Sequence, residues 1–257
     1  MFSAHNPPIL ELNNVRFQYS GDKPFIKHLN FSAGDGEFIG LLGANGSGKS
    51  TILKLASGIL KPGEGLIKLW GKPLHTYNNR DRAKLLCYFP QLLDINLPFT
   101  VRELVNMGLY PYDISPELTV DEALSQVGLE DKSESYITNL SGGERRRAFI
   151  AMTLVQGAGL LLLDEPLANL DIKYQIELLK LLKELKKEKN ISIIMALHDI
   201  NIALQFEKVM LIKDGGILGI GSPEEVLTGT LLKKAFDTDI EIRKMDSGGT
   251  YISYLTY

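Results

Sequence analysis

The segment Gly43-Ala44-Asn45-Gly46-Ser47-Gly48-Lys49-Ser50 constrains this chain more than any other. Glycine at its first and sixth positions, then lysine and a hydroxyl residue, is the pattern of a phosphate-binding loop. The glycines let the backbone wrap around phosphates with its N–H groups pointing inward. Lys49 adds a positive charge for the β- and γ-phosphates, and Ser50 offers a hydroxyl to Mg²⁺. Thr51 sits beside them at the positive end of the helix that must follow. The flanks have the required form, strand before and helix after. Glu37 to Leu42 reads as a short apolar strand, and Ile52, Leu53, Leu55 and Ala56 have helical spacing within Lys49 to Ile59.

A second anchor is the apolar run Leu160 to Leu163 followed by Asp164 and Glu165. An all-apolar strand is expected where a parallel sheet is covered on both faces. Carboxylates at its carboxyl end sit where open α/β sheets bind ligands. Asp164 is suited to hold Mg²⁺, directly or through water, and Glu165 to polarise an attacking water. The bland alternative is that one of the pair merely caps the next helix.

Between and around these anchors the pattern alternates. Val15, Phe17 and Tyr19 alternate with polar residues, as in a half-buried antiparallel strand, and Leu66 to Trp70 reads as another. Thr100 with Glu103, Thr119 with Glu122 and Ser141 with Glu144 each match the capping box of a helix start. A long amphipathic helix is expected from about Ile172 to Lys187, its lysine-rich end at the negative pole of the dipole. Ile191 to Ala196 reads as a buried strand. Val209 to Ile212 and Ile217 to Ile220 flank Asp214-Gly215-Gly216 as a hairpin. Ser222-Pro223-Glu224-Glu225 starts a short helix, and the tail from Ile240 to Tyr257 alternates around Gly248-Gly249.

Composition narrows the function classes. A net charge of −3 gives no basic field for nucleic acid. The single Cys87 leaves no internal disulfide. Met1 to Pro8 does not read as a signal peptide. The longest apolar runs fall far short of the roughly 18 residues that span a bilayer, so a membrane process would need other chains for its membrane part.

Leu140-Ser141-Gly142-Gly143-Glu144 then decides the matter. A cap needs no glycine pair, whereas an anion site approached by backbone does. With this segment in place, the sequence resembles the ATP-binding-cassette (ABC) ATPases over essentially its whole length. Leu140 to Glu144 matches that family's signature, a short helix upstream of the Asp164-Glu165 strand. The resemblance implies that Tyr19 stacks on adenine and that Gln91 contacts Mg²⁺ and senses a membrane subunit. It implies that Asp171, in Ala168-Asn169-Leu170-Asp171, crosses a dimer interface and that His198 contacts the γ-phosphate. Taken singly, each has a plainer reading: Tyr19 as a strand aromatic, Gln91 as a loop residue, Asp171 as an N-cap, His198 as a structural histidine. His5, His28 and His75 match nothing.

The resemblance also implies a mechanism and partners. Two copies face each other head to tail, and ATP on the phosphate loop of one is closed over by Ser141, Gly142 and Gly143 of the other. Hydrolysis, with Glu165 as the base, resets the pair. Leu97 to Glu103, Met107 to Pro111, His198 to Asn201 and Ser222 to Leu227 resemble importers of iron–siderophore, haem and cobalamin type. Those systems place two such ATPases under two membrane permease subunits, on the cytoplasmic face, with an external binding protein. Glu144 stands where many members have glutamine. Importers of zinc, manganese or another solute, a soluble non-transport cassette, and an inert nucleotide-binding relative remain as alternatives. The expected architecture is α/β: a phosphate-loop core with a parallel sheet, an antiparallel β-subdomain, a helical subdomain inserted at about 93–157, and a short C-terminal tail from about 236 to 257.

Overall fold

A computed structural model describes residues 7–21, 24–91, 98–114, 116–244 and 250–254. The chain begins with β1 (Leu10–Phe17), β2 (Ile26–Ala33) and β3 (Phe38–Leu42). Next come α1 (Lys49–Ala56), β4 (Glu64–Leu69), the two-residue β5 (Lys72–Pro73), α2 (Asn79–Leu85) and β6 (Leu86–Phe89). After these lie α3 (Val101–Asn106), α4 (Val120–Gln126), α5 (Gly142–Gln156), β7 (Leu160–Leu163) and α6 (Ile172–Lys189). The remainder is β8 (Ser192–Leu197), α7 (Ile200–Ala203), β9 (Lys208–Lys213), β10 (Gly216–Gly221), α8 (Pro223–Val226), α9 (Gly229–Phe236), β11 (Ile240–Lys244) and β12 (Thr250–Tyr254). Two compact units result, Met1–Leu74 with Ile193–Tyr257, and His75–Ser192.

In the first unit β3 is the central strand. It pairs in parallel with β8, Leu42 opposite Leu197, and on its other edge with β9, Leu42 opposite Leu211. All five β3 residues are buried, which explains its continuous apolar run. The β9–β10 hairpin closes through Asp214 and Gly215, both at positive φ, 48° and 72°. That is the backbone a two-residue hairpin requires.

An antiparallel sheet in the order β2-β1-β4-β5 belongs to the same unit. Leu10, Leu12, Val15 and Phe17 of β1 are buried. Their spacing skips a residue because Asn14 bulges at φ 51°, its N–H bonded to Asn30 Oδ1 at 2.8 Å. The alternation through Tyr19 predicts a longer strand, but β1 ends at Phe17 and Tyr19 lies beyond it, half exposed. The tail forms the antiparallel pair β11–β12; Gly248 and Gly249 lie outside the described residues.

In the second unit β6 and β7 run parallel, Leu86 opposite Leu160 and Phe89 opposite Leu163. The capping boxes at Thr100, Thr119 and Ser141 all form and start α3, α4 and α5. Helix α5 buries Ala148, Phe149, Ile150, Ala151, Leu154 and Val155, and Phe149 meets Phe89 edge to face at 5.6 Å. The compact unit is broader than the 93–157 helical segment read from sequence, since it takes in β6, β7 and α6. Burial pushes the Cys87 thiol up to about 12, so it stays protonated and unreactive. Among the described residues no helix is long and apolar enough to cross a membrane.

Helix α6 docks through Leu178, Leu179, Leu182 and Leu185, with Leu182 fully buried. Leu182→Ala is expected to cost about 2–5 kcal/mol through lost burial and the cavity left behind, read as a lower midpoint in denaturant unfolding.

Candidate nucleotide site

The first unit holds the phosphate loop. Strand β3 delivers the chain to Gly43, where a Cβ would lie 2.4 Å from the Ile212 carbonyl oxygen and 2.7 Å from Ser47 Oγ. At Gly46 an added Cβ would meet nothing within 4 Å, so the loop is open there. Gly48 is the N-cap of α1 at φ 115° and supplies no side-chain acceptor. A helix start capped by glycine leaves its N–H dipoles for an anion. Lys49 is buried, and its Nζ donates to the carbonyls of Gly43 at 2.8 Å and Ala44 at 3.3 Å. The ammonium is therefore held inside the loop, among backbone oxygens. Ser47 Oγ is buried there with no hydrogen-bond partner.

The loop has a brace that sequence reasoning missed. The N–H of Gly215, in the β9–β10 turn, donates to the Ser47 carbonyl at 2.8 Å. A Cβ at Gly215 would fall 1.9 Å from the Phe25 carbonyl oxygen. The Asp-Gly pair signals a turn in sequence, but nothing in it signals what the turn supports.

Tyr19 and His198 lie in the same unit. Tyr19 Oη is bonded to Thr51 Oγ1 at 2.8 Å, while Phe17 and Phe25 meet its ring edge-on at 4.8 and 5.6 Å. Thr51 thus ties the aromatic ring to the first turn of α1. Asn45 is exposed and Ser50 half-buried. His198 follows β8 directly and is exposed. Because Leu42 pairs with Leu197, Gly43 and His198 leave neighbouring strands at the same level.

In the second unit two residues at the end of β7 are held by two from β6 and the turn after it. Tyr88 Oη donates to Asp164 Oδ2 at 3.0 Å, the Asp164 N–H donates to the Phe89 carbonyl at 2.9 Å, and Gln91 Nε2 donates to Glu165 Oε2. Both carboxyl groups are buried, a placement that is costly unless donors meet them. Tyr88, not singled out from sequence, is one of those donors. Glu165 has φ 52°, a left-handed backbone that costs a non-glycine residue of order 1–3 kcal/mol and is typical of functional positions.

The start of α5 lies in this unit as well. Glu144 Oε2 accepts the Ser141 N–H at 2.8 Å, and the Glu144 N–H donates to Ser141 Oγ at 3.3 Å. Gly143 has a packing reason of its own, since a Cβ there would press on the Tyr174 ring at 3.3 Å; Gly142 has room. Asp171 is the N-cap of α6, yet its carboxylate makes no cap bond and is exposed. Gln91, Asp164 and Glu165 are thus together in one unit, and Tyr19, the loop and His198 in the other.

A glycine-rich loop between a buried parallel strand and a helix, with acidic residues ending a further parallel strand, defines a phosphate-loop nucleotide-binding protein of the α/β class. Residues 26–168 match the ABC transporter family model, and the chain belongs to that family. It is an ATP-binding ATPase. It is 40% identical over 242 residues to the petrobactin import ATP-binding protein FpuC of Bacillus anthracis, covering 91% of this chain and 89% of the relative. A solved chain described as an inward-facing transporter of metal-chelate type superposes with a TM-score of 0.82 at 25% identity, over 97% of this chain and 98% of that one. The dimeric post-hydrolysis cassette MJ0796, with ADP and phosphate bound, superposes with a TM-score of 0.73 at 26% identity, over 83% and 98%.

Two predictions test this geometry. Gly215→Ala must move the Phe25 carbonyl or the loop, so it is expected to lower the thermal midpoint and weaken nucleotide binding together. Gly216→Ala, whose Cβ would sit 3.6 Å from the Lys213 carbonyl oxygen, is the expected neutral control. The Ser141 backbone N–H bond, aided by Lys132, holds the Glu144 carboxyl below the usual glutamate range despite partial burial. Its folded value lies below its unfolded value, so this stabilisation is complete above the unfolded value and fades as pH falls through the folded one. As pH falls from about 7 toward about 3, the wild type should lose more stability than Glu144→Gln, measured by denaturant unfolding.

Proposed function

We propose that this chain powers an importer of metal chelates of the iron–siderophore, haem or cobalamin kind by binding and hydrolysing ATP as one of two copies. The observation that carries the reading is the loop. Lys49 is buried against the Gly43 and Ala44 carbonyls, beside a buried Ser47 hydroxyl that lacks a partner, and both are groups that phosphate oxygens satisfy. The FpuC relative and the metal-chelate-type neighbour support the choice of cargo.

The roles follow from the chemistry of each group. The Tyr19 ring stacks on adenine. Backbone at Gly43, Asn45, Gly46 and Gly48, with Thr51, holds the phosphates, and Lys49 neutralises the β- and γ-phosphates. Among the described residues no three histidine, cysteine or acidic side chains form a metal cage, so a cation here would be held jointly with phosphates, as Mg²⁺ commonly is. The Ser50 hydroxyl, the Asp164 carboxylate and Gln91 are suited to hold it. When bound, Mg²⁺ would offset charge building on the phosphates. Glu165, one oxygen fixed by Gln91, takes the proton of the attacking water, and His198 bonds the γ-phosphate. Ser141, Gly142 and Gly143 bind the nucleotide of the second copy, and Asp171 crosses between copies, a reading supported by the dimeric MJ0796 neighbour.

The partners are two membrane permease subunits, met through the helical segment at about 93–157 of the single cassette domain, with an external binding protein beyond them. The working place is the cytoplasmic face of the membrane, with the tail from about 236 to 257 as an appendage of the cassette.

Glu165→Gln is expected to slow phosphate release by about a hundredfold or more and to trap a dimer in ATP and Mg²⁺, seen by size-exclusion chromatography. A variant that stays monomeric sinks the head-to-tail reading. Tagged protein from solubilised membranes should carry a many-helix permease. Ribosomal or DNA-repair components in its place would overturn transport and leave the ATPase standing.

A further inference from the structure

Three consecutive arginines follow the capping box, and they do different things. Arg145 donates to the Leu140 carbonyl within its own helix start, at 3.1 and 3.3 Å. Arg147 lies 3.8 Å from Glu177 of α6. Arg146, one helical turn past Gly142, leaves α5: its Nη2 donates to the Ala168 carbonyl at 2.5 Å. Its Nη1 rests against the first turn, 3.5 Å from where a Gly142 Cβ would be. Its Nε is buried without a partner, and among the described residues no carboxylate pairs with it.

This is an expensive way to make one hydrogen bond. Burial, aided by the neighbouring Arg145, pushes the Arg146 guanidinium down from its ordinary value, so the site disfavours the charge it contains. The bond it makes is well placed. The Ala168 N–H donates to the Glu165 carbonyl at 3.1 Å, so Ala168 is gripped at both ends, by Arg146 and by Glu165. From the other side Gln175 Nε2 holds the Leu170 carbonyl at 2.9 Å. Glu165 and Asn169 both have left-handed backbone, φ 52° and 59°, a conformation asparagine accepts readily and glutamate does not.

We propose that Arg146 is a positioning residue that couples the start of α5 to Glu165. In the dimer of the proposed function, on which this inference rests, nucleotide of the second copy at Ser141 to Gly143 shifts the first turn of α5. Arg146 transmits that shift through Ala168 to the backbone of Glu165. Each copy's catalytic carboxylate is thereby set by the nucleotide bound to the other.

The test is ATP hydrolysis by the full chain as a function of ATP concentration. It is run beside binding of a fluorescent ATP analogue to the monomer and thermal unfolding. Arg146→Met keeps the aliphatic stem and removes the donors. It is expected to lower kcat about tenfold to a hundredfold and bring the Hill coefficient to about 1. Monomer affinity and melting midpoint should stay at the wild-type level, and Arg146→Lys should recover part of the rate. Wild-type kcat and cooperativity in Arg146→Met overturn the coupling, as does a rate loss matched by an equal loss of monomer affinity. Should Arg146→Met fail to fold, Arg146→Lys and Arg146→Gln are read in the same assay, and wild-type cooperativity in both overturns it. Wild-type turnover that is itself non-cooperative fails the dimer reading and takes the coupling with it.

Discussion

The pairing of β3 on both edges, with β8 and with β9, is the constraint on which the nucleotide loop depends. A phosphate loop needs its backbone N–H groups fixed before the ligand arrives, because ordering a loop at the moment of binding would consume affinity. A strand whose five residues are all buried and hydrogen-bonded on both sides cannot shift its register without exposing them. The point where the chain leaves β3 is therefore set, and Gly43 inherits that position. The neighbouring strands add to this. β8 ends beside it and brings His198 to the same level, and β9 runs on into the turn whose Gly215 N–H holds the Ser47 carbonyl. One core strand thus places the loop, a candidate γ-phosphate contact and the brace.

The second unit solves a different problem, that of keeping two carboxyl groups under cover. Each would be costly in an apolar setting. The solution is to end β7 beside β6, so that residues of and just beyond β6 supply donors, Tyr88 to Asp164 and Gln91 to Glu165. The two donors differ in kind. A tyrosine on a paired strand is a fixed partner. Gln91 lies beyond the end of β6, outside its ladder. Gln91 meets Glu165, whose own backbone lies in the left-handed region.

The fold was legible in sequence wherever a short-range pattern carries its own mechanism. The capping boxes at Thr100, Thr119, Ser141 and Ser222 form as their spacing requires, because cap and helix are local to one another. The apolar runs of β3 and β7 read correctly because parallel strands are buried on both faces. Tyr19 was misplaced because alternation alone cannot reveal the Asn14 bulge or the end of β1 after Phe17. Strand β6 is short and polar at Tyr88, and its burial comes from pairing with a strand more than seventy residues away, so nothing local marks it. In the candidate site Lys49, Asp164 and Glu165 were named because each belongs to a spaced motif. Tyr88, Gly215 and Arg146, noticed only through their contacts, were not named, because their partners are distant in sequence.

The Ser141 cap shows how a structural device and a binding device can occupy one segment. Glu144 satisfies the Ser141 N–H, and Ser141 Oγ in turn accepts the Glu144 N–H, which is what a stable helix start needs. A glutamine would offer the same acceptor without the charge. A carboxylate at a helix N-terminus is favoured by the dipole, yet it also competes with any anion approaching the same end. Here that charge is partly offset, since Lys132 lies 3.9 Å from Glu144, and its main bond is turned back to the backbone of Ser141. The acid of the cap is therefore engaged by its own helix start and by a neighbouring cation. Ser141 and Gly142 are both exposed at that helix end.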